Sequence, residues 1–298
     1  MSGSPAVVGA SASDAIRRRV AGPTIRVEVL AAFPAAVYLA HTDGVLALVT
    51  ADGVRHPNAI AIGAKVDDRP FAGIPVGGQG TVGDHHVRLP GFAAAVRRWW
   101  RPRPALPPVV PGVLGDTVSA LQLLLATAAA PLPHELAVPR SRLHRALADG
   151  DRDAALGQAD ALLGLGPGLT PSGDDVLSGI FAAVSLLGPV VDGHDLAGLT
   201  GLVRQVGDAS VQRASTRTTS ISAALLAHAV AGEVSDAAAD VFTALAGAAP
   251  MTPAVQRLLR VGATSGRDLG VGILTGARLI ASVVVPAPPT SPVPEETR

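Results

Sequence analysis

The sequence predicts an α+β protein: a β-rich N-terminal domain followed by a mainly α-helical C-terminal domain. Three observations carry this. Residues 24–90 alternate apolar and polar side chains between Asp-Gly and Gly-Gly turns. Beyond residue 112 the apolar positions recur at helical spacing. Between the two lies Arg101–Pro111, RPRPALPPVVP, a composition that makes a stiff connection.

Residues 1–23 carry small side chains, Asp14 and Arg17–Arg19, with no apolar signal-peptide core, and are expected to be a flexible tail. Thr24–Ala31 sets Ile25, Val27 and Val29 against Arg26 and Glu28, the period of a half-buried strand. Ala36–His41 and Val45–Thr50 flank Thr42-Asp43-Gly44, a hairpin signal. Ala59–Ile62 and Val82–Leu89 read as further strands around Gly77-Gly78-Gln79-Gly80. Ala93–Trp100 is expected to be a short helix ending before Pro102. Its Trp99-Trp100 pair would pack the β part onto the helical part, with Arg97, Arg98 and Arg101 solvated. The expected boundaries are therefore a β-rich domain over 24–101, a Pro-rich linker over 102–111 and a helical domain over 112–285.

Helices are expected over Leu114–Ala129, Arg140–Asp149, Asp153–Leu163, Val176–Leu187 and Leu196–Ala209. The pattern continues through Ile221–Ala231, Ala237–Ala246, Ala254–Val261 and Leu269–Val285. Residues 286–298, PAPPTSPVPEETR, lack an apolar period and are expected to be disordered.

Composition excludes several functions. Among 298 residues, 24 basic and 24 acidic side chains cancel, and every basic one except Lys65 is arginine. A general nucleic-acid or anionic-membrane binder needs a basic excess. With no cysteine, there is no disulfide, thiolate nucleophile or zinc–sulfur site. The mean hydropathy of +0.38 comes from Ala, Val and Leu. The longest apolar stretches, Val176–Val191 and Gly270–Val285, are interrupted by Ser, Gly and Pro or by Arg278. Neither supplies the ~20 continuous apolar residues of a membrane span. A soluble, cytoplasmic protein is expected, with neither nucleic acid nor membrane as partner. The eight histidines show no metal-ligand spacing and are expected at surface or satisfied core positions.

The densest feature is Gly164–Gly179, GLGPGLTPSGDDVLSG. Glycines at 164, 166 and 168 mark a loop, and Ser172 with Asp175 reads as a capping box before a helix. A glycine loop opening onto a helix N-terminus favours anions. Two readings stay open: a plain capped helix, or a site where Asp174 and Asp175 hold Mg²⁺ or orient a polar substrate. Neither a Walker A nor a Rossmann pattern is present.

The pattern returns 93 positions on, where Ser265–Ile273 repeats the S-G-x-D-(V/L)-x-x-G-I of Ser172–Ile180. A mid-helix glycine costs about 1 kcal/mol relative to alanine. Matched glycines at 179 and 272 therefore predict that the two helices cross there, with both N-termini facing one pocket and Arg267 opposite the carboxylates. Between the copies, Arg213–Ser220 (RASTRTTS) puts a guanidinium and hydroxyls ahead of an expected helix, chemistry suited to phosphate or carboxylate. Ser215-Thr216-Arg217-Thr218 is similar to the carbamoyl-phosphate tetrapeptide of aspartate and ornithine carbamoyltransferases. It is a chemical analogy only, because Val211-Gln212-Arg213 replaces the preceding Phe-x-Glu/Lys.

Taken in order, Gly164–Asp175, Thr218-Thr219 with Ile221–Leu226, and Ser265–Asp268 resemble the AllH-like family. The likeness runs from about residue 110 to 282 and is faint around His56-Pro57-Asn58. Ala263 and Arg267 stand where a histidine and an aromatic residue commonly flank the last motif. The family includes a subunit of the oxamate carbamoyltransferase of anaerobic allantoin breakdown, which exchanges carbamoyl phosphate and oxamate with oxalurate and phosphate. The resemblance implies a small anionic substrate and companion subunits. In that setting Asp174, Asp175, Arg217 and Arg267 are the catalytic candidates. Gly166, Gly168 and Thr170 would donate to the anion. Ser172, Gly173, Thr218 and Thr219, with Ser265, Gly266 and Asp268, complete the expected substrate-binding set. The alternatives are a non-catalytic assembly subunit, marked by an apolar patch without a polar pocket, and a stand-alone Mg²⁺-dependent phosphoryl or amide enzyme.

Overall fold

A computed structural model describes residues 6–285. The chain builds a closed eight-stranded barrel and then a helical domain. The barrel strands are β1 (Val7–Ser13), β2 (Ile25–Ala32), β3 (Ala36–His41), β4 (Gly44–Val49), β5 (Ala59–Ile62), β6 (Gln79–Gly83), β7 (His86–Leu89) and β8 (Phe92–Trp100). They are ordered β1-β5-β4-β3-β2-β6-β7-β8, with β1–β8 and β4–β5 parallel and the other pairs antiparallel. Alternating residues fill the interior, among them Val27, Val29, Leu39, Leu46, Leu48 and Ile60, all at most 2% exposed. Closure leaves no sheet edge open.

Three expectations change here. The flexible tail over 1–23 is, from residue 7, a barrel stave followed by the short helix α1 (Arg17–Ala21). Its small residues, GASAS, hide the alternation that puts Ala10 and Ala12 inside. Val82–Leu89 is two strands, because Asp84 and His85 both take left-handed backbone and close a two-residue turn. Ala93–Trp100 is strand, not helix. Its alanines suit either state locally, and pairing with both β7 and β1 decides the matter. Residues 1–5 and the expected disordered tail, 286–298, lie outside the described residues.

Every residue of β4 after Gly44 is buried, since both of its faces are covered. Leu46 and Leu48 point into the barrel. Ala47 and Val49 form an outer cluster with Ala59, Ala61, Tyr38 and Trp100, and the helix Ser220–Val230 of the helical domain packs on β4. Trp100 thus joins the face turned to the helices, while Trp99 packs on the barrel under Arg17, whose guanidinium carbon lies 4.2 Å from the ring centre. The Pro-rich segment is pinned along its length. Arg103 donates to the carbonyls of Ala231 at 2.6 Å and Ser185 at 3.0 Å, and Val109 bridges to Val191.

The helices are α2 (Pro111–Ala128), α3 (His134–Ala148), α4 (Arg152–Leu162), α5 (Ser172–Leu187), α6 (Ala197–Arg217), α7 (Ser220–Val230), α8 (Asp236–Leu245), α9 (Met251–Leu259) and α10 (Ser265–Val284). The window Ser172–Val190 is long and apolar enough to cross a membrane, but 78% of it is buried inside the protein, at the centre of the helical core. Its closest partner is α10, and the crossing falls where the repeated glycines predict. A Cβ on Gly179 would sit 2.4 Å from the carbonyl oxygen of Leu269, and one on Gly272 2.2 Å from that of Val176. The echo extends to the loops before each helix. A Cβ on Gly173 or Gly266 would sit 1.9 Å from the carbonyl oxygen of Leu162 or Leu258, at the ends of α4 and α9. Each S-G pair is therefore a backbone-on-backbone joint between a helix end and the next helix start.

Either Gly179→Ala or Gly272→Ala should lower unfolding free energy by ~3 kcal/mol or more, because backbone atoms cannot yield as side chains do. In α4, Gly157 has open space around it, so Gly157→Ala should be neutral or stabilising by up to about 1 kcal/mol. Urea unfolding of the three variants checks both.

Candidate functional site

A cleft of about 280 Å³ lies between the barrel and the helical domain. The barrel side contributes Tyr38 from β3, Val49 from β4 and the loop residues Val54, His56 and Pro57. The helical side contributes Thr170 from the glycine loop, Asp175 and Ser178 from α5, and Ser265 and Leu269 from α10. Glu233 and Ser235, from the loop before α8, complete the rim. Two backbone links fix the barrel loop to that segment. The N–H of Asp236 donates to the Arg55 carbonyl at 3.2 Å, and the N–H of Arg55 donates to Asp236 Oδ1 at 3.3 Å.

The crossing brings the starts of α5 and α10 together, as the echo predicts. Thr170 and Ser265 are joined hydroxyl to hydroxyl at 2.8 Å. Asp175 stands beside them on the cleft wall, and its Oδ2 is buried without a hydrogen-bond partner. Burial pushes this carboxyl up from 3.8 to about 8, and the buried Asp268 and Asp174 push the same way. The Ser265 and Thr170 hydroxyls oppose the shift only in part. At neutral pH Asp175 is therefore mainly an uncharged acid, able to donate one hydrogen bond and accept others. Across the cleft, burial holds the His56 imidazole below its ordinary 6.5 despite nearby Asp236, so this ring is neutral as well. Glu233 is already engaged, with Oε2 2.6 Å from His228 Nδ1.

The other acid of the pair has a different task. Asp174 is 1% exposed and accepts from the Gly164 N–H at 2.7 Å, the Ser222 hydroxyl at 2.7 Å and the Thr218 hydroxyl. Thr219 donates to the Leu169 carbonyl at 2.5 Å and accepts from Ser222 N–H, which caps α7. This knot ties the glycine loop to the α6–α7 junction. Gly164 must be glycine there, at φ +76°, because a Cβ would lie 2.1 Å from the Arg217 carbonyl oxygen.

Several expected site residues stand elsewhere. Ser172 does not cap α5, and neither does Ser265 cap α10; Pro171 and Thr264 occupy the cap positions and make no side-chain cap bond. Instead Gly166 folds over the helix start, close enough that a Cβ would be 3.0 Å from Ser172 N. Arg213–Arg217 forms the end of α6 rather than an anion loop, and the Arg217 guanidinium reaches back to the Asp160 carbonyl at 3.3 Å. Arg267 turns to its own neighbour, Asp268, at 2.6 Å rather than toward the cleft, since that fully buried carboxylate demands a partner. Neither arginine lines the cleft, and Gly166 and Gly168 lie outside it too.

The pair does not fit Mg²⁺. Both oxygens of Asp174 are taken by protein donors, so the two carboxylates cannot act together as Mg²⁺ ligands. Among the described residues no group of three or more metal-ligating side chains occurs. His56 is the main residue that sequence reasoning misses. Its only signal is the His-Pro-Asn run between strands, and nothing local shows that it faces a helix 119 positions further on.

Because the Asp175 proton is held more tightly in the folded state, this carboxyl binds more proton in the native than in the unfolded chain between pH 3.8 and about 8. Its contribution to stability must then fall as pH rises through that window, by up to ~1.4 kcal/mol per pH unit. Asp175→Asn should abolish this slope and gain on the wild type progressively toward pH 8. Asp174→Ala should instead cost about 3 kcal/mol at any neutral pH and expose the Gly164 amide to hydrogen exchange. Unfolding free energies measured across pH, with amide exchange, separate the two acids.

Residues 162–277 match the family model described as oxamate carbamoyltransferase subunit AllH. The match covers the glycine loop, the α6–α7 junction and the second S-G-x-D motif, and it leaves out the barrel. Searches of curated proteins and of solved structures returned no match. The helical region that supplies Asp175, Thr170 and Ser265 to the cleft is thus the part of the chain that is similar to this family.

Proposed function

We propose that this chain is a cytoplasmic subunit of an oxamate carbamoyltransferase-like enzyme of allantoin and purine nitrogen catabolism. In this reading its cleft holds the small amide-bearing substrate. One observation carries the proposal: an acid with an orphaned, buried oxygen faces a cleft where two helix starts converge. Positive helix ends and a neutral carboxyl are suited to the carbonyl and carboxylate oxygens of a molecule such as oxamate. The family description of residues 162–277 supports the same chemistry.

Carbamoyl transfer to an amide nitrogen forms an N–C bond, breaks the C–O bond to phosphate and releases one proton from the nitrogen. His56, kept neutral by burial, has a free lone pair for that proton. Asp175 would donate to the acceptor's carbonyl oxygen and fix the amide plane, together with the Thr170–Ser265 hydroxyl pair. No arginine or lysine lines this cleft, so the carbamoyl phosphate dianion is assigned to a site completed by companion subunits. A cleft with convergent polar groups favours ligand binding over a role in assembly alone.

Oxamate or oxalurate, added well above its dissociation constant, should raise the thermal midpoint by an amount equivalent to a few kcal/mol. Asp175→Ala and His56→Ala should each weaken binding roughly tenfold or more, and Asp175→Asn, which keeps a donor, should weaken it less. Calorimetric titration of these folded variants reads the effect. Wild-type protein that binds neither compound would contradict the reading.

A further inference from the structure

A second and larger cavity, about 660 Å³, opens on the outside of the barrel beside β1 and β8. Arg55, Arg97 and Arg98 line it, over a floor of Gly9, Ala10, Ser11 and Gly63. Adjacent residues on a strand ordinarily point to opposite faces. Here the β1–β8 register slips, because Ala10 pairs with Val96 and Ser11 with Arg98, leaving Arg97 unpaired. Such a bulge re-aims side chains, and it delivers both arginines to one groove. Arg55 joins them from the loop after β4, fixed through its backbone bond to Asp236 and lying 5.6 Å from the Trp100 ring centre. Among the described residues none of these three guanidiniums has a carboxylate partner. Asp236, which accepts from the Arg55 backbone N–H, is itself paired with Arg257 at 2.5 Å. The floor adds an approachable surface, since a Cβ on Gly9 would meet nothing within 4 Å.

We propose that this groove binds a small molecule bearing a phosphate group, with Arg97 and Arg98 clamping the phosphate and Arg55 closing over it. Planar guanidiniums converging from two backbone segments match phosphate oxygens in a way that scattered surface cations do not. The loop also links the groove to the cleft: Ala51 and Arg55 face the groove, while Gly53, Val54, His56 and Pro57 face the cleft. A ligand that draws Arg55 inward therefore acts on the segment carrying His56. The groove stands on its own geometry and does not depend on the substrate assigned to the cleft.

Calorimetric titration of the full chain at low salt, with inorganic phosphate, pyrophosphate and carbamoyl phosphate as separate probes, tests the assignment. At least one probe should bind saturably. The double variant Arg97→Ala/Arg98→Ala and the single variant Arg55→Ala should each lose roughly tenfold or more in affinity, with unchanged thermal midpoints. Asp175→Asn should leave this binding unchanged, which separates the groove from the cleft. Arg152→Ala removes an exposed arginine elsewhere on the surface and should also have no effect. Tighter binding of pyrophosphate or carbamoyl phosphate than of phosphate marks a phosphate ester or anhydride as the ligand; the reverse order marks free phosphate. Absence of saturable binding, or an equal loss in Arg152→Ala, overturns the proposal.

Discussion

The close crossing of α5 and α10 is the constraint on which the rest depends. Backbone meets backbone at Gly179 and Gly272, with no room for even a methyl group on either helix. That contact fixes where both helices begin, and so brings Thr170, Asp175 and Ser265 into one place. It also explains the apolar character of α5, which is a core element wrapped by other helices. Further along, Gly276 continues the contact against Ala183 and Ile180, so the two axes stay close over successive turns.

Adjacent acids on one helix turn have divided the work. Asp174 points back into the protein and holds the glycine loop with a full set of donors, so its burial is compensated. Asp175 lines the cleft, and its buried oxygen Oδ2 has no protein partner. An unsatisfied buried polar atom weakens a fold and persists where it serves something else. The neutral acid on the helical side and the neutral imidazole on the barrel side line the same cleft. The arginines that could have made it cationic are committed to Asp160 and Asp268.

Much of this was legible in residue spacing. The S-G-x-D echo located the crossing, since glycines at matched helical positions have few other uses. The order of β-rich and helical parts followed from the change of apolar period. What spacing could not show was where side chains point. Ser172 looks like a cap, but Gly166 folds over that helix start first. Arg217 looks like the head of an anion loop, but α6 runs on through it. The stave β1 and the strand character of Ala93–Trp100 depend on barrel closure, a long-range pairing that no short window contains. His56 reaches the site for the same reason, by way of a loop that only the docked domains place.

The central claim is that Asp175 stands in the cleft as a neutral acid at pH 7. Carbon-detected NMR of aspartate-labelled protein, with Asp175 assigned by comparison with Asp175→Asn, follows its carboxyl carbon directly through a pH titration. A midpoint near 8 is the predicted result, with the carboxyl still largely protonated at neutrality. A midpoint near the ordinary 3.8 would mean a charged, solvated Asp175, and would contradict both the buried orphan oxygen and the role built on it.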